Sequence, residues 1–552
     1  MLGAVLEREL AAAPRSRGMY LARAVYCGTL LGIVATCWLV VTGAHPVTTT
    51  GDMARFGATL LRILAPLQLV LATLAAALAA VVAVGLEKDR RTLELLLVSR
   101  ITSLQLVAGK LAGSLLRVLL LLLAAVPLFA IVSLCGGVTW PQLARLFVVT
   151  AATALAAASI ASAVAFWRDT TFQSLAISCV AIAVWLAAGE AVAARWGGEA
   201  AAAVSPARAA FAALGAAAGG PLLPFLAICG GVVATATGIA VARVRAWNTV
   251  GERRTRAVRT ASRESRTVWS NPVFWRETCT RAHGRAILFV RLAWILLFAA
   301  ALAGALRESR AVRPDRFAVA VAVVPMALAS VLAVAAMAVT SITTERDRGA
   351  FDLLLVSDLE PGELVWGKLL GTLVAAREIV LLPLAACGVL VWLGLATPEH
   401  GVYLAVGMAV LLFFAAVLGL YVGLSHTVSR RAISVALGTV AFMFVGVATA
   451  MRIMVAFGGS FELQLAPFLA AIVGGAVGLY AALSPRNPSP AVAWASTLLP
   501  SLTFAALTGF LQGGTLQVLL TVLAAYGFAI LALLVPSIGA FDLLTGRTST
   551  GE

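Results

Sequence analysis

Charged side chains are scarce in this sequence: Asp, Glu, Lys and Arg make up 12% of its 552 residues, while 61% are hydrophobic. A soluble protein carries roughly twice that charged fraction. The low charge and a mean hydropathy of +0.99 therefore exclude an ordinary soluble globular protein. Acidic residues are the scarcer sign, 25 against 41 Lys and Arg. The arginines concentrate in loops between apolar runs, as in membrane proteins, so no nucleic-acid partner is expected.

Residue types that bind metals or carry out redox chemistry are few and far apart. The seven cysteines are scattered, and no two have the spacing of a metal or redox motif. The four histidines, His45, His283, His400 and His426, lie in four different connections. No nucleophile–base pair or carboxylate dyad can be recognised from the spacing. We therefore expect no metal site and no catalytic residues in this chain.

A complete nucleotide-binding motif is also missing. Residues 362–369 nearly have the spacing of a P-loop, with Gly362, Gly367 and Lys368 in place. However, Leu369 occupies the position where a Ser or Thr hydroxyl must reach the magnesium ion. The chain is therefore expected to bind no cofactor and not to be an enzyme. If ATP drives its function, ATP and magnesium are bound by a separate subunit.

The sequence does contain many apolar runs of about 20 residues, each long enough to cross a hydrocarbon layer of roughly 30 Å. Lipid offers backbone groups no hydrogen-bond partner, so these runs must form helices. The predicted fold class is an all-α polytopic membrane protein. The approximate spans are 21–43, 58–85, 111–134, 143–166, 171–190, 221–242, 286–306, 318–342, 369–395, 402–425 and 432–457. Three more candidates between 466 and 541 give 14 spans, or 12 if two of them form one re-entrant element.

The positive charge in the connections predicts how the chain is oriented. Loops rich in Arg and Lys remain in the cytoplasm, and this places both termini there, with the chain in the cell (inner) membrane. The stretch from Arg243 to Arg276 contains nine arginines, two glutamates and no long apolar run. We predict a first transmembrane half over 1–242, a basic cytoplasmic linker over 243–275 and a second transmembrane half over 276–552.

The two halves share a repeat that is not merely apolar. Residues 87–113 and 345–371 align without a gap at an offset of 258 residues, and 14 of the 27 positions are identical. At an offset of 268 residues, Arg8 and Glu9 match Arg276 and Glu277. Solubility in lipid does not explain shared charges, so the chain contains a duplication. Because the matched loops share one side, we predict two tandem parallel-repeat bundles of about six transmembrane helices each, unlike inverted-repeat carriers.

Each copy of the repeated loop has a charged cluster, an amphipathic stretch, a break and a Gly-Lys pair. The apolar positions are Leu93, Leu96 and Leu97 in the first copy and Phe351, Leu354 and Leu355 in the second. Residues three and four apart share one face of a helix, and an apolar face beside charges needs a cover. Lipid headgroups and the groove of a soluble partner both provide one.

These segments resemble a known family. The charged cluster, the Thr-Leu-Glu-Leu-Leu of residues 92–96, the break and the Gly-Lys-Leu of residues 109–111 are similar to the loop between spans two and three of type-2 ABC export permeases. Residues 271–277 resemble the interfacial elbow before the first span of those permeases. The resemblance implies an N-terminal elbow helix and a cytoplasmic coupling helix in each half of a fused, duplicated permease. The sequence departs from the family at Arg91, where a glycine is common, whereas Gly349 fits.

The resemblance also implies roles for the matching residues and a partner. The coupling loops would contain Glu87, Asp89, Arg90, Glu94, Leu96, Leu97, Gly109 and Lys110 in the first half, and Glu345, Asp347, Arg348, Asp352, Leu354, Leu355, Gly367 and Lys368 in the second. The elbow helices would carry Arg8, Glu9, Arg276 and Glu277. Two copies of a cytoplasmic ABC ATPase would bind these loops and hydrolyse ATP, and the chain would export an unknown substrate.

Charges inside the predicted spans are the remaining candidates for function. Arg117 and the adjacent Arg377 and Glu378 lie in equivalent third spans, roughly 10 to 15 Å along a helix beyond the Gly-Lys pairs. Long side chains at that depth can snorkel to the cytoplasmic surface. The alternative is that they line an inward-open vestibule that meets an anionic or zwitterionic substrate.

Two other functions stay open at the level of sequence. An ion-gradient-driven secondary transporter needs a midplane acidic residue or a broken helix, for which Glu378 is the candidate. A non-transporting membrane scaffold or sensor needs neither and would have no ATPase partner.

Overall fold

A computed structural model describes residues 7, 17–44, 49–89, 92–168, 171–196, 198–215, 222–248, 269–279, 286–309, 316–347, 349–447, 461–486, 489–511 and 514–545. The structure is 91% helical, and no strand occurs among these residues. The prediction of an all-α protein is therefore confirmed. Internal contacts divide the chain into two compact units, Met1–Arg263 and Glu264–Glu552.

The first unit is a helical bundle in which small side chains form part of the buried core. Its helices are α1 (Arg17–Ala44), α2 (Thr50–Asp89), α3 (Thr92–Val98), α4 (Ser103–Leu134), α5 (Trp140–Trp167), α6 (Thr171–Trp196), α7 (Gly198–Val204), α8 (Pro206–Ala213) and α9 (Leu222–Trp247). Ala76 and Ala80 of α2 and Ala157 and Ala161 of α5 belong to one buried cluster. Small residues of this kind let membrane helices approach closely, which favours packing where lipid provides no hydrophobic driving force.

In the second unit, small residues likewise allow two long helices to pack closely. Its helices are α10 (Pro272–Cys279), α11 (Ala286–Ser309), α12 (Arg316–Asp347), α13 (Ala350–Val356), α14 (Pro361–Ala375), α15 (Arg377–Trp392), α16 (Pro398–Ser425), α17 (Ser429–Ala441), α18 (Phe461–Leu483), α19 (Pro490–Leu511), α20 (Thr515–Gly539) and α21 (Phe541–Thr545). A π-helical turn, Phe442–Gly446, continues α17. A Cβ atom at Gly419 of α16 would lie 2.5 Å from the carbonyl oxygen of Ala335 on α12, so glycine permits this close approach.

Many of these helices are able to cross a bilayer. Within the described ranges, nine are long and apolar enough, namely α2, α4, α5, α6, α9, α12, α16, α19 and α20. The bent pair α14–α15 is a tenth if it counts as one span. The chain is therefore a multi-pass membrane protein. The total of 12 or 14 spans stays a prediction, since residues 448–460, part of which was predicted to cross, lie outside the described residues.

Helix boundaries recur between the units at the offset of 258 residues seen in the sequence. The first and last residues of α3 match those of α13, α4 matches the pair α14–α15, and α5 matches α16. The N-caps recur as well. Thr102 and Glu360 form capping boxes at the starts of α4 and α14, and Thr139 and Thr397 precede α5 and α16. Local signals therefore define the same element lengths in both units.

The units differ in the helix that follows the repeated loop. In the first unit, α4 is a continuous helix of 32 residues. Its counterpart is divided at Ala376 into α14 and α15, which are bent by 62°. The Nη2 atom of Arg291 on α11 donates a hydrogen bond to the carbonyl oxygen of Ala375 at 3.0 Å. This arginine therefore satisfies a carbonyl at the end of α14, where a helix leaves carbonyls without partners.

The boundary between the units falls in the segment predicted as a linker. The division between Arg263 and Glu264 lies inside 243–275. The helix α9 continues to Trp247, past the predicted end of the first half, and α10 begins at Pro272. Residues 249–268, which make up most of the predicted linker, lie outside the described residues.

Candidate functional site

Each repeated loop exposes a similar small patch on its short helix. The patch combines an acidic residue, a leucine and a valine. The first loop patch consists of Glu94, Leu95 and Val98 on α3, and the second loop patch consists of Asp352, Leu353 and Val356 on α13. The leucines are 71% and 75% exposed, and the valines are 88% and 85% exposed. Matching chemistry and matching exposure make the two patches suitable for the same kind of partner.

The apolar face that was expected to need an outside cover is covered within each unit. Leu93 is buried, and Leu96 and Leu97 are half-buried against the core of the first unit. Their counterparts in the second loop, Phe351, Leu354 and Leu355, have the same pattern of burial. The helical periodicity was correct, but it marks the face that packs on the unit itself. The surface available to a partner is the opposite face.

The lysines of the Gly-Lys pairs point into the units and form ion pairs across each loop. Lys110 of α4 is 3% exposed, and its Nζ atom lies 2.9 Å from Oε1 of Glu87 near the end of α2. Lys368 of α14 is 1% exposed, and its Nζ atom lies 2.7 Å from Oε1 of Glu345 near the end of α12. A buried ammonium needs such a partner. These charges therefore tie the helix before each loop to the helix after it.

The helix predicted as the second elbow, α10, packs directly on α14. A Cβ atom at Gly371 would lie 2.5 Å from Cβ of Glu277, and one at Gly367 would lie 2.8 Å from Oδ1 of Asn271. The side-chain amide of Asn271 donates a hydrogen bond to the carbonyl oxygen of Glu363 at 2.9 Å. Two glycines one helical turn apart therefore form the surface on which α10 lies.

Glu277 of α10 extends the ion pair of the second unit into a network. Its Oε1 atom accepts a hydrogen bond from Nζ of Lys368 at 2.7 Å, and Lys368 also donates to the carbonyl oxygen of Ser341 at 3.2 Å. With Oε1 of Glu345 at 2.7 Å, three oxygen atoms surround the ammonium group. Arg276 pairs with Glu345 and with Glu277. Burial alone would raise the pKa of Glu277, but Lys368 and Arg276 outweigh it and lower the pKa.

The residue that follows each loop glutamate caps a neighbouring helix. The Nζ atom of Lys88 donates a hydrogen bond to the carbonyl oxygen of Arg168, which follows α5, at 2.8 Å. The guanidinium of Arg346 donates to the carbonyl oxygen of His426, which follows α16. Both the donors and the acceptors are 258 residues apart. A cation at a helix C-terminus satisfies carbonyls there and interacts favourably with the helix dipole.

Arg245 holds the first loop in place and was not predicted from the sequence. Its guanidinium donates hydrogen bonds to the carbonyl oxygens of Leu97 at 3.3 Å and Ile101 at 2.9 Å, and to Oγ of Ser103 at 3.2 Å. The residue lies at the end of α9, within the segment predicted as a linker. In an arginine-rich stretch, one arginine carries no signal of its own. Its role follows only from the position of α9 beside the loop.

The other predicted coupling and elbow residues have varied settings. Arg8, Glu9, Arg90 and Arg348 lie outside the described residues, and so does Arg91. Asp89 ends α2, and Gly109 is buried in α4. Oδ1 of Asp347 accepts a hydrogen bond from Oγ of Ser429 at 2.5 Å. Gly349 precedes α13 with a φ of +69°, a conformation that favours glycine, which explains the glycine in the second charged cluster.

The predicted pathway charges occupy unlike environments. Arg117 lies half-buried in the continuous helix α4. Arg377 and Glu378 are the first residues of α15, immediately after the break. The Nε atom of Arg377 donates a hydrogen bond to Oε1 of Glu378 at 3.0 Å, and Nε of Arg291 lies 3.0 Å from Oε2 of the same carboxylate. The second unit therefore has a three-charge cluster at a broken helix.

The chain matches no protein-family model and no curated protein. In the part of the chain that the structure describes, no three His, Cys, Asp or Glu side chains are grouped so that they could hold a metal ion. Function is therefore inferred from the helical architecture, the two repeated loops and the charges around them.

Proposed function

We propose that this chain is the membrane-spanning permease subunit of an ATP-driven exporter of the type-2 ABC class, with both halves fused in one polypeptide. Separate cytoplasmic ATPase subunits bind and hydrolyse ATP with magnesium, and the chain exports a substrate. One observation carries the proposal: the same loop occurs twice, with the same helix bounds, the same buried ion pair and similar exposed patches. Two similar patches suit two copies of one partner.

The proposed architecture has two tandem parallel bundles with 12 or 14 spans in total, located in the inner membrane. Both termini and both repeated loops are cytoplasmic in this proposal, since loops rich in Arg and Lys remain on that side. Loops of the same sequence after matching helices require the same orientation. The helix α10 is the elbow of the second half. Its contact with Gly367 and Gly371 supports that role, since an interfacial helix must be held against the bundle to transmit movement.

The buried ion pairs give each loop a stiff connection to its bundle. Glu87 with Lys110, and Glu345 with Lys368, join the helices on either side of the loop. Leaving one charge of such a pair buried without its partner costs about 3–5 kcal/mol. The ion pair is therefore expected to stay closed when a bound partner pushes on the loop. A displacement of α3 or α13 by an ATPase therefore moves the spans instead of flexing the loop.

Quantitative co-purification tests docking through the loop patches. The chain is co-expressed with the ATPase encoded beside it, and the molar ratio of the two proteins is measured by mass spectrometry. We expect two ATPase copies per chain. Leu95→Glu alone and Leu353→Glu alone each leave about one copy, and the double variant leaves none, because a charge in an apolar contact is not compensated.

Two exposed apolar residues at the opposite ends of the neighbouring helices provide the matched control. Leu134 and Trp392 end α4 and α15 at matching positions and are about as exposed as the patch leucines. Leu134→Glu and Trp392→Glu should keep both ATPase copies bound. Retention of two ATPase copies by the Leu95→Glu/Leu353→Glu variant would remove the basis of the proposal.

A second candidate function, an ion-gradient-driven secondary transporter, is favoured by one specific observation. The helix pair α14–α15 is broken, and Glu378 lies at the break, as in carriers whose ion sites lie at interrupted helices. Transport that continues without ATP and stops when an uncoupler is added would favour this carrier. Transport that requires the ATPase and survives the uncoupler would favour the exporter. A scaffold or sensor role predicts no ATPase partner and no transport.

A further inference from the structure

The break between α14 and α15 gathers three charged side chains in a largely apolar part of the second unit. Arg377 and Glu378 begin α15, and Arg291 reaches them from α11. Glu378 pairs with both guanidinium groups, one at each carboxylate oxygen, at 3.0 Å. Because two cations share one carboxylate, the cluster carries one uncompensated positive charge.

The uncompensated charge is at Arg377. Arg291 is half-buried and is also used in the hydrogen bond to the carbonyl oxygen of Ala375. The side chain of Arg377 is 61% exposed. Among the residues that the structure describes, Glu378 is its one hydrogen-bond partner, through Nε. The two terminal amino groups of Arg377 are therefore available for an anion, which a guanidinium binds in a bidentate manner.

Exposed apolar side chains lie on both helices that meet at this break. Trp366, Leu370 and Val374 follow one another at intervals of four residues on α14, and Leu381 follows Arg377 at the same interval on α15. Their exposed fractions are 40%, 41%, 42% and 58%. Residues four apart lie on one side of a helix, so α14 has an apolar stripe that leads to the break. A cation at the end of an apolar stripe complements a molecule with an anionic head and hydrocarbon chains.

The first unit lacks this arrangement. Leu119 and Leu120 occupy the positions that match Arg377 and Glu378, and α4 passes through them without a break. The helix bounds around them otherwise agree between the units. A continuous helix forms in the first unit without these charges, so the charges belong to the break that is specific to the second unit.

We infer that the break between α14 and α15 is a binding site for an anionic phospholipid. The terminal amino groups of Arg377 bind the phosphate, and the exposed apolar side chains of both helices beside the break contact the acyl chains. Glu378 and Arg291 are positioning residues, since Glu378 holds Nε of Arg377 and Arg291 holds both Glu378 and the end of α14. Lipid binding needs no ATPase. Only the use of this site to load a transported lipid rests on the proposed function.

Lipid binding to the purified full-length chain, without an ATPase, tests the site. Native mass spectrometry and thermal shift are measured with phosphatidylglycerol, with phosphatidylcholine and with glycerol 3-phosphate. We expect phosphatidylglycerol to bind best, because phosphatidylcholine carries no net negative charge and glycerol 3-phosphate has no acyl chains. Arg377→Gln should weaken phosphatidylglycerol binding about tenfold, and Arg377→Lys should weaken it less.

The matched control removes another exposed arginine from a membrane helix. Arg62 is exposed on α2, and Arg62→Gln should leave phosphatidylglycerol binding unchanged. Equal binding of phosphatidylglycerol to Arg377→Gln and the unmodified chain would overturn the site, as would an equal loss in Arg62→Gln. Equal binding of glycerol 3-phosphate and phosphatidylglycerol would show a soluble-anion site instead. If ATPase docking fails while these lipid results hold, the site stands without the exporter.

Discussion

Lys368 and Glu345 face each other across the second repeated loop, with Nζ and Oε1 2.7 Å apart. Lys110 and Glu87 have the same relationship in the first unit, 258 residues earlier. In each case an ammonium from the helix after the loop is buried beside a carboxylate from the helix before it. The pair therefore determines how the two helices are held together where a docked partner would act.

The first prediction concerns the buried ammonium of Lys368. Lys368→Met leaves Glu277 and Glu345 without their buried cation, and we expect a loss of about 3–5 kcal/mol of stability. The thermal midpoint in detergent should fall by several degrees. The triple variant Lys368→Met/Glu277→Gln/Glu345→Gln contains no buried carboxylate in need of that cation and should recover part of the loss. A thermal midpoint of Lys368→Met equal to that of the unmodified chain would refute the pairing.

The second prediction concerns pH and Glu277. The pKa of Glu277 is lowered in the folded protein, so its stabilising effect is present above the ordinary glutamate pKa of 4.5 and is lost as the pH falls through the folded value. Glu277→Gln should therefore lower the thermal midpoint at pH 7 and have a progressively smaller effect as the medium is acidified below pH 4.5. Melting curves of both proteins from pH 7 to pH 3 measure this. A deficit that is constant across the range would contradict the prediction.

The third prediction concerns Arg245. Arg245→Ala removes the hydrogen bonds to Leu97, Ile101 and Ser103, so backbone opening around the first loop should become easier. Hydrogen exchange of residues 97–103 should be faster in the variant. The equivalent residues 355–361 of the second loop serve as an internal control and should exchange as before. Unchanged exchange in the first loop would show that Arg245 does not fasten it.

The fourth prediction concerns the close contact of α10 with Gly371. A Cβ atom at this position would lie 2.5 Å from Cβ of Glu277, so Gly371→Ala should push α10 away and cost about 1–3 kcal/mol. Gly388 on α15 has open space at the corresponding point. Gly388→Ala should be neutral or stabilise the helix by up to about 1 kcal/mol. Gly371→Ala should therefore lower the thermal midpoint while Gly388→Ala leaves it unchanged or raises it, and equal shifts would argue against the contact.

The sequence predicts features of this protein that depend on local patterns. Long apolar runs predict the all-α membrane fold, and the aligned loops predict that α3 and α13 are equivalent. Tertiary contacts decide what the sequence alone does not show. The positions of Leu96 and Leu97 were predicted to share a face, but whether that face packs on the unit or on a partner depends on neighbouring helices. The inward position of Lys110 has the same origin.

The break at Ala376 illustrates a second limit. No proline or glycine lies at the division between α14 and α15; the proline inside α15 is Pro383. Arg377 and Glu378 are good helix formers, so their local preference favours a continuous helix. The hydrogen bond from Arg291 to Ala375 and the ion pair of Arg291 with Glu378 support the bent form. These contacts join residues more than 80 positions apart, which no local pattern reveals.

The burial of Lys110 and Lys368 affects how one can establish which side of the membrane the loops face. Reagents that acylate amines will not reach either side chain in the folded protein, so a negative result with such reagents says nothing about which compartment the loops face. A reporter has to be placed at the surface instead. Cysteines introduced at Val98 and Val356, in a background without the seven native cysteines, would be accessible to an impermeant maleimide from one compartment only.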